Sequence, residues 1–157
     1  MRIIILMLFT GLQYFVSAQN CNADSLKNYI IRASDTDVNI AWELSGHQIW
    51  HNPTCVPLNK LLVHLVGTYD SPVNTTYFPI LAANNGYHVI SLKYINDTPA
   101  KTVCQDSSDP NCYLNFRKEI IEGIDYSTEA DVDTTNSILN RLEKVLIYLE
   151  NNYPTEG

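Results

Sequence analysis

The sequence predicts an α/β fold built on two parallel strands that a helix connects. Residues 61–66 (LLVHLV) form a nearly continuous apolar run that Gly67 ends, a pattern typical of a strand covered on both faces in a parallel sheet. Residues 87–94 (YHVISLKY) form a second run, rich in strand formers. Residues 75–84 predict a helix between them, so the segment is a βαβ unit whose crossover should be right-handed.

Proline and glycine mark the two ends of the connecting helix. Pro79 fits best in a first helical turn, which places the start of the helix nearer to Tyr77 than to residue 75. The sequence Asn-Asn-Gly at residues 84–86 is a helix stop signal. These signals delimit the crossover helix.

The segment before the βαβ unit predicts strands. Apolar residues alternate loosely through residues 35–50, which indicates one or two partly exposed strands with a turn at Gly46. Asn-Pro at residues 52–53 breaks the pattern. The alternating residues are Val38, Ile40, Trp42, Leu44, Ile49 and Trp50.

The segment after the βαβ unit predicts a long loop and two helices. Residues 95–110 form a polar connection, and residues 116–124 predict a short helix. The last helix is capped by Asp133 or Thr134, and Asn-Asn-Tyr-Pro at residues 151–154 ends it. Its apolar face consists of Ile138, Leu142, Val145, Leu146 and Leu149.

The first 18 residues are interpreted as a signal peptide. Arg2 precedes an apolar run at residues 3–9, and the small residues Ser17 and Ala18 suit cleavage by signal peptidase. The run is too short to span a bilayer, and the residues before Cys21 do not form a lipobox. We therefore expect an exported, soluble domain of 139 residues (157 minus 18) over residues 19–157, enough for one core.

The charge balance disfavours two classes of partner. The chain has 10 Lys and Arg against 17 Asp and Glu, a formal net charge of −7. An acidic surface repels phosphate backbones and anionic lipid. We expect no nucleic-acid partner and, after signal cleavage, no membrane partner.

The four cysteines predict disulfides. An even number of cysteines in an exported chain is typical of disulfide pairing. Cys104 and Cys112 flank a polar segment with turn residues, so pairing them closes a short loop, and pairing Cys21 with Cys55 ties down the N-terminus. Four cysteines allow three connectivities, and the other two stay open at this point.

A metal site is the weaker interpretation of the same region. His47, His51 and Cys55 recur every four residues, which on a helix would gather zinc ligands on one face. Pro53 makes a helix through all three implausible, and the neighbourhood predicts a strand. We expect no metal and no cofactor.

The order of these elements resembles the N-terminal part of the α/β-hydrolase superfamily. The residues that carry the likeness are Gly67-Thr68-Tyr69 after a buried strand, GYHVI at residues 86–90, a cysteine-bearing loop, and the helix NRLEKVLIYLENNYP. In detail the chain is similar to a group of exported hydrolase-like proteins, from about Leu61 to the last residue. The resemblance implies an incomplete α/β-hydrolase-like sheet, with only its N-terminal strands and first helices.

The resemblance also implies a role for the turn after residue 66. In that superfamily the corresponding turn donates a backbone N–H to the oxyanion hole, and the matching positions here are Gly67, Thr68 and Tyr69. The family turn is often richer in glycine. A preorganised N–H stabilises the negative oxygen of a tetrahedral intermediate by a few kcal/mol.

The nucleophile of such an enzyme is absent from this sequence. No glycine in the sequence begins the pattern G-x-S-x-G of a nucleophile elbow. In the superfamily the serine, acid and histidine follow the last helix seen here. A truncation before the elbow would produce this absence.

Other polar residues have simpler interpretations. Ser71 is interpreted as a turn residue before Pro72, and His64 and His88 as structural residues of their strands. Asn74 and Asn96 each begin an N-x-Thr sequon, which is a glycosylation acceptor only in a eukaryotic secretory route.

The sequence therefore predicts the N-terminal fragment of a secreted serine-hydrolase-like protein. The intact protein would hydrolyse a small-molecule ester or amide, and this chain alone should be inactive. The alternative is a complete, non-catalytic secreted α/β module that binds a ligand or partner. A third, weaker hypothesis is a small disulfide-stabilised inhibitor or effector, for which two disulfides are few.

Overall fold

A mixed four-stranded sheet forms the centre of the protein. The computed structural model describes residues 21–41 and 45–155. The strand order is β1-β2-β4-β3, with β1 antiparallel to β2, β2 antiparallel to β4, and β3 parallel to β4. The strands are β1 (Lys27–Ile31), β2 (His47–His51), β3 (Leu61–Leu65) and β4 (His88–Leu92).

Five helices accompany the sheet in the described residues, which confirms the α/β class. They are α1 (Ala33–Thr36), α2 (Tyr77–Ala83), α3 (Ala100–Val103), α4 (Cys112–Glu122) and α5 (Ile138–Asn152). The predicted signal peptide at residues 1–18 lies outside the described residues, as do Trp42 and Leu44 of the predicted strands.

The predicted β3-α2-β4 unit is confirmed. Helix α2 begins at Tyr77 with Pro79 in its first turn, where a missing N–H costs no helical hydrogen bond. Gly86 follows the helix with a φ of 87°, a conformation that glycine adopts without strain. The strands pair in register from Leu61 opposite His88 to Leu65 opposite Leu92.

Strand β3 lies at the edge of the sheet, so the expectation of a strand covered on both faces is wrong. Within the described residues it pairs with β4 alone. Leu61 and Leu65 are 46% and 43% exposed. The strand also ends one residue early: Val66 follows it, buried, and its carbonyl accepts the Tyr94 hydroxyl. An apolar run shows which side chains avoid water, but it does not specify the neighbours that would cover them.

The prediction of one or two strands in residues 35–50 is confirmed for one strand, β2, which is mostly buried and not partly exposed as expected. Helix α1 occupies the start of this segment, and β2 is the only strand the structure describes there. One of the two strands that pair with β2 is β1, which the sequence did not reveal because only Ile31 of its five residues is buried. Gly46 precedes β2, and a Cβ there would lie 2.8 Å from the Ile31 carbonyl oxygen. The glycine thus permits a close approach to β1.

Helices cover both faces of the sheet. On one face Val89 of β4 packs against Ala82 and Ala83 of α2. On the other face the main core joins the sheet to α4 and α5, and its fully or nearly fully buried members include Ile90, Leu92, Phe116 and Val145. Burying one such side chain stabilises the fold by roughly 1.5–3 kcal/mol.

The helices after β4 differ from prediction at their ends. Helix α4 starts at Cys112 and ends at Glu122, where Gly123 adopts a left-handed φ of 70°. The cap of α5 is Ser137, whose side chain accepts the Asn140 N–H, and not Asp133 or Thr134. Asp133 instead caps a short 3₁₀ turn, Thr134–Asn136, that precedes the helix. The predicted loop at residues 95–110 contains α3.

Both predicted disulfides are confirmed. Cys21 pairs with Cys55 at a Cα–Cα distance of 4.8 Å, and Cys104 pairs with Cys112 at 5.7 Å. The second bond joins the end of α3 to the first residue of α4. None of the helices in the described residues is long and apolar enough to cross a membrane. The disulfides are consistent with an exported protein, because such bonds persist in oxidising compartments.

Candidate functional site

The turn that follows β3 lies beside the carboxyl end of β4. Leu65 and Leu92, the last residues of the two strands, are register partners, so Gly67 and Lys93 leave the sheet at the same edge. In open α/β sheets, ligands bind in the crevice outside the carboxyl ends of the parallel strands. The candidate site therefore lies at this edge.

The turn itself, residues 67–70, contains an unusual backbone conformation. The Asp70 N–H donates to the Gly67 carbonyl oxygen at 3.1 Å. Tyr69 has a φ of 66°, in the left-handed region that costs a residue with a Cβ about 1–2 kcal/mol. Its side chain is 73% exposed, so burial of the ring does not offset this cost.

Asn96 holds this turn with its side chain and its main chain. Its Nδ2 donates to the carbonyl oxygens of Gly67 at 2.6 Å and Asp70 at 2.9 Å. Its own carbonyl oxygen accepts the Tyr69 N–H at 2.8 Å. Asn96 is only 7% exposed, so water does not compete strongly for these bonds.

Two N–H groups of the turn remain without a partner. Among the described residues, neither the Gly67 nor the Thr68 N–H makes a hydrogen bond, whereas the Tyr69 N–H is used by Asn96. The space beside Gly67 is open, because a Cβ built there would meet no atom within 4 Å. Of the three predicted backbone donors, the structure thus leaves two available.

A buried lysine connects the turn to β4. The Nζ of Lys93 donates to the Asn96 Oδ1 at 3.0 Å, and the lysine is 9% exposed. Burial and the guanidinium of Arg141 lower the pKa of the Lys93 ammonium, while Asp97 and Asp70 act in the opposite direction. Because the Lys93 ammonium donates to Oδ1 and Nδ2 donates to the turn, both ends of the Asn96 side-chain amide are hydrogen-bonded.

A buried polar cluster lies behind Lys93. The fully buried Arg141 of α5 donates to the carbonyl oxygen and the Oδ1 of Asn136, at 2.9 Å and 3.0 Å, and to the Lys93 carbonyl at 3.4 Å. The Lys93 N–H donates to the Nδ1 of His47 at 3.0 Å, and His47 is also fully buried. These bonds fix the backbone at the end of β4, from which the Asn96 loop starts.

A cavity of about 300 Å³ opens beside the Asn96 loop. Its lining includes Asp97 and, more deeply, Phe116 and Ile120 of α4. The wall formed by residues 126–132 is held by Glu119, whose carboxylate accepts three backbone N–H groups from that segment. The residues of the turn at 67–70 are not part of its lining.

A larger cavity, of about 470 Å³, lies at the opposite end of the sheet. It includes Leu61 and His88, the first residues of β3 and β4, and Tyr153 after α5. The rings of Tyr29, His51 and His88 stack in sequence at its base, with centroids 6.2 Å and 5.8 Å apart. The predicted turn and this cavity are therefore at different ends of the parallel strands.

Neither Ser71 nor His64 belongs to an accessible serine–histidine pair in the described part of the chain. The Ser71 Oγ lies 2.8 Å from the Ser45 Oγ, so its hydroxyl partner is another serine. The His64 Nδ1 lies 2.8 Å from the Ser91 Oγ, but Ser91 is fully buried and a substrate cannot reach it. These contacts agree with the structural roles predicted for Ser71 and His64.

Sequence reasoning missed the residues that organise the site. The sequence pattern marks Asn96 only as a sequon and Lys93 only as part of a strand. A signal for Arg141 was present, because it lies three residues after Ile138 and four before Val145, on the apolar face of α5. A charged residue at such a position has to be hydrogen-bonded inside the protein.

Comparisons with known proteins identify no relative. No family model, no curated protein and no solved structure matches this chain.

Proposed function

We propose that this chain is the N-terminal part of an exported protein of the α/β-hydrolase type, which in its intact form transfers the acyl group of an ester or amide to water. The observation that carries the proposal is the turn at residues 67–70. It lies at the carboxyl end of a parallel strand, the N–H groups of Gly67 and Thr68 have no hydrogen-bond partner among the described residues, and the space beside Gly67 is open.

The chemistry of this turn is stabilisation of negative charge. When a nucleophile attacks an acyl carbon, the carbonyl oxygen becomes an oxyanion, and fixed N–H donors bind the oxyanion more strongly than they bind the substrate. Removing one such donor lowers kcat by about 10²–10³ in an enzyme that depends on it. Thr68 and Gly67 are the proposed donors, because the Tyr69 N–H is already bonded.

The open edge of β3 supports the view that further strands belong to this sheet. Leu61 and Leu65 are half-exposed on one face of β3. On the helix α2 side, Phe78 and Leu81 are 51% and 48% exposed. An apolar strand edge of this kind is prone to pair with another strand, and native proteins cover or charge such edges. A further strand beside β3 would pair with its free backbone edge and place side chains next to Leu61 and Leu65.

The nucleophile, the acid and the histidine of the proposed enzyme would come from sequence beyond residue 157. The proposal is tested by reading the native gene downstream of Gly157 and expressing the longer product. We expect a G-x-S-x-G elbow within a few dozen residues and hydrolysis of p-nitrophenyl butyrate that its Ser→Ala variant abolishes. The 157-residue chain should not hydrolyse this ester. A stop codon directly after Gly157 would refute the proposal, and so would ester turnover by the chain that depends on Ser71.

A second candidate is a non-catalytic module that binds a small apolar ligand, and the 470 Å³ cavity favours it. Volumes of about 300–1,000 Å³ with mostly apolar and aromatic walls are typical of ligand sites. Purified chain that is monodisperse and unfolds cooperatively would support this candidate. Aggregated material would support the fragment, because the β3 edge would be left open.

A further inference from the structure

The peptide plane between Gly67 and Thr68 shows how the turn directs its donor. In a trans peptide the C=O and the N–H point in opposite directions, and the structure has no cis bond in its described part. The Gly67 carbonyl oxygen points to the Nδ2 of Asn96, 2.6 Å away. The Thr68 N–H, in the same plane, therefore points away from Asn96.

The neighbouring peptide planes are fixed by the same residue. The Tyr69 N–H points towards the Asn96 carbonyl oxygen, and the Asp70 carbonyl oxygen accepts the second hydrogen of Nδ2. The Oδ1 of Asn96 accepts a hydrogen bond from Lys93, the residue that follows β4. The side-chain amide of Asn96 is therefore bonded to the turn through Nδ2 and to the end of β4 through Oδ1. Three hydrogen bonds from this one buried residue thus contact the turn at Gly67, at Tyr69 and at Asp70, on both sides of the positive φ of Tyr69.

We propose that Asn96 is the positioning residue of the oxyanion turn: by binding the Gly67 carbonyl it directs the Thr68 N–H towards the acyl oxygen of a substrate. The inference rests on the proposed function, and it adds a residue outside the turn that acts through Thr68. Asn96 does not contact the substrate in this scheme. Its effect belongs to the transition state, because it fixes the donor before negative charge develops.

Hydrogen exchange of the backbone amides tests the geometry in the full 157-residue chain. Asn96→Asp keeps an acceptor for the Lys93 ammonium but removes both donors to the turn. Asn140→Ala is the matched control, because the Asn140 Nδ2 holds a different turn through the Thr135 carbonyl, at 2.7 Å. Amide exchange in β4 reports any global loss of stability in each variant.

In Asn96→Asp we expect the Tyr69 amide to exchange about ten- to a hundredfold faster, since two turn hydrogen bonds are lost. Exchange in β4 should change by less than about threefold, because the contact with Lys93 is kept and the core is untouched. Asn140→Ala should leave the Tyr69 amide unchanged relative to β4. If the Tyr69 amide exchanges at the wild-type rate in Asn96→Asp, the inference is overturned.

Kinetics of the longer gene product test the catalytic part. Asn96→Asp should lower kcat for p-nitrophenyl butyrate by about tenfold or more while KM stays within about threefold, because the lost interaction acts on the transition state. A purely structural role would reduce kcat only by the fraction of unfolded enzyme, as Asn140→Ala would. An unchanged kcat overturns the inference even if the exchange result holds. If the wild-type product hydrolyses nothing, the proposed function fails and the catalytic role of Asn96 falls with it.

Discussion

His47 should make the folded protein less stable in mild acid. The imidazole is fully buried, and its Nδ1 accepts the Lys93 N–H, which requires that this nitrogen carry no proton. Its Nε2 has no hydrogen-bond partner in the described part of the chain. Burial, and then the charge of Arg141, lower the pKa of His47 from 6.5 to about 4.

The sign and size of the effect follow from proton linkage. Between pH 6.5 and about pH 4 the unfolded chain binds a proton at His47 that the folded chain excludes. Stability is therefore full above pH 6.5 and falls as the pH is lowered towards 4. The shift is 6.5 minus about 4, and at 1.36 kcal/mol per pKa unit it corresponds to about 3 kcal/mol.

The matched variant for this prediction is His47→Asn. An asparagine Oδ1 can replace Nδ1 as the acceptor of the Lys93 N–H, but it does not titrate. The free energy of unfolding of each protein is measured by urea denaturation at pH 7 and at pH 4. We expect the difference, wild type minus variant, to fall by about 3 kcal/mol between these two pH values. The difference cancels the titration of carboxylates that both proteins share.

A second variant controls for histidine in general. His64 is partly exposed, and although burial lowers the pKa of His64, the charge of Asp70 opposes the shift. His64→Asn should therefore show a smaller change with pH than His47→Asn. The reasoning is refuted if the wild type and His47→Asn lose stability in parallel between pH 7 and pH 4, or if the imidazole of His47 titrates near pH 6.5 by NMR.

Three further predictions concern stability and modification. Gly123→Ala should lower the free energy of unfolding by at least about 2 kcal/mol, because φ is 70° and a Cβ would collide with the backbone at residues 133–134. The control Gly67→Ala, where a Cβ meets open space, should change it by less than about 0.5 kcal/mol. Equal losses in the two variants, measured by thermal unfolding, would contradict this. Removing the Cys21–Cys55 disulfide, which spans 34 residues, should lower the free energy of unfolding in urea by about 4 kcal/mol. Removing the Cys104–Cys112 disulfide, which spans 8 residues, should lower it by about 2.5 kcal/mol. The reverse order would contradict this prediction. Expressed in a eukaryotic secretory host, the protein should carry glycan at the exposed Asn74 and not at Asn96, whose Nδ2 is buried and bonded; a glycopeptide containing Asn96 would disprove this.

The parts of the fold that the sequence predicted are those with local signals. Helix α2 was delimited by Pro79 and Gly86, each of which acts on the backbone at its own position. The Cys104–Cys112 bond was predictable because a short turn-forming segment separates the two residues. Such features need no knowledge of the rest of the chain.

The parts that were missed depend on distant partners. Strand β1 is mostly exposed and is defined by its register with β2, for example Tyr29 opposite Ile49. The position of β3 at the edge depends on which strands pair, and an apolar composition does not encode this. The role of Asn96 arises only when the loop after β4 meets a turn 26 to 29 residues earlier in the sequence.

The buried arginine of α5 has a consequence for how that helix is seated. Leucine and valine contacts tolerate sliding, because one apolar ridge resembles the next, but the bonds from Arg141 to Asn136 and to the Lys93 carbonyl have fixed lengths and directions. A displacement of α5 by one turn, about 5.4 Å, would break the hydrogen bond from Arg141 to the Lys93 carbonyl. The guanidinium charge would then be buried without that partner. The hydrogen bonds of Arg141 thus fix the position of α5 along the sheet, and with it the position of Tyr153, which follows the helix.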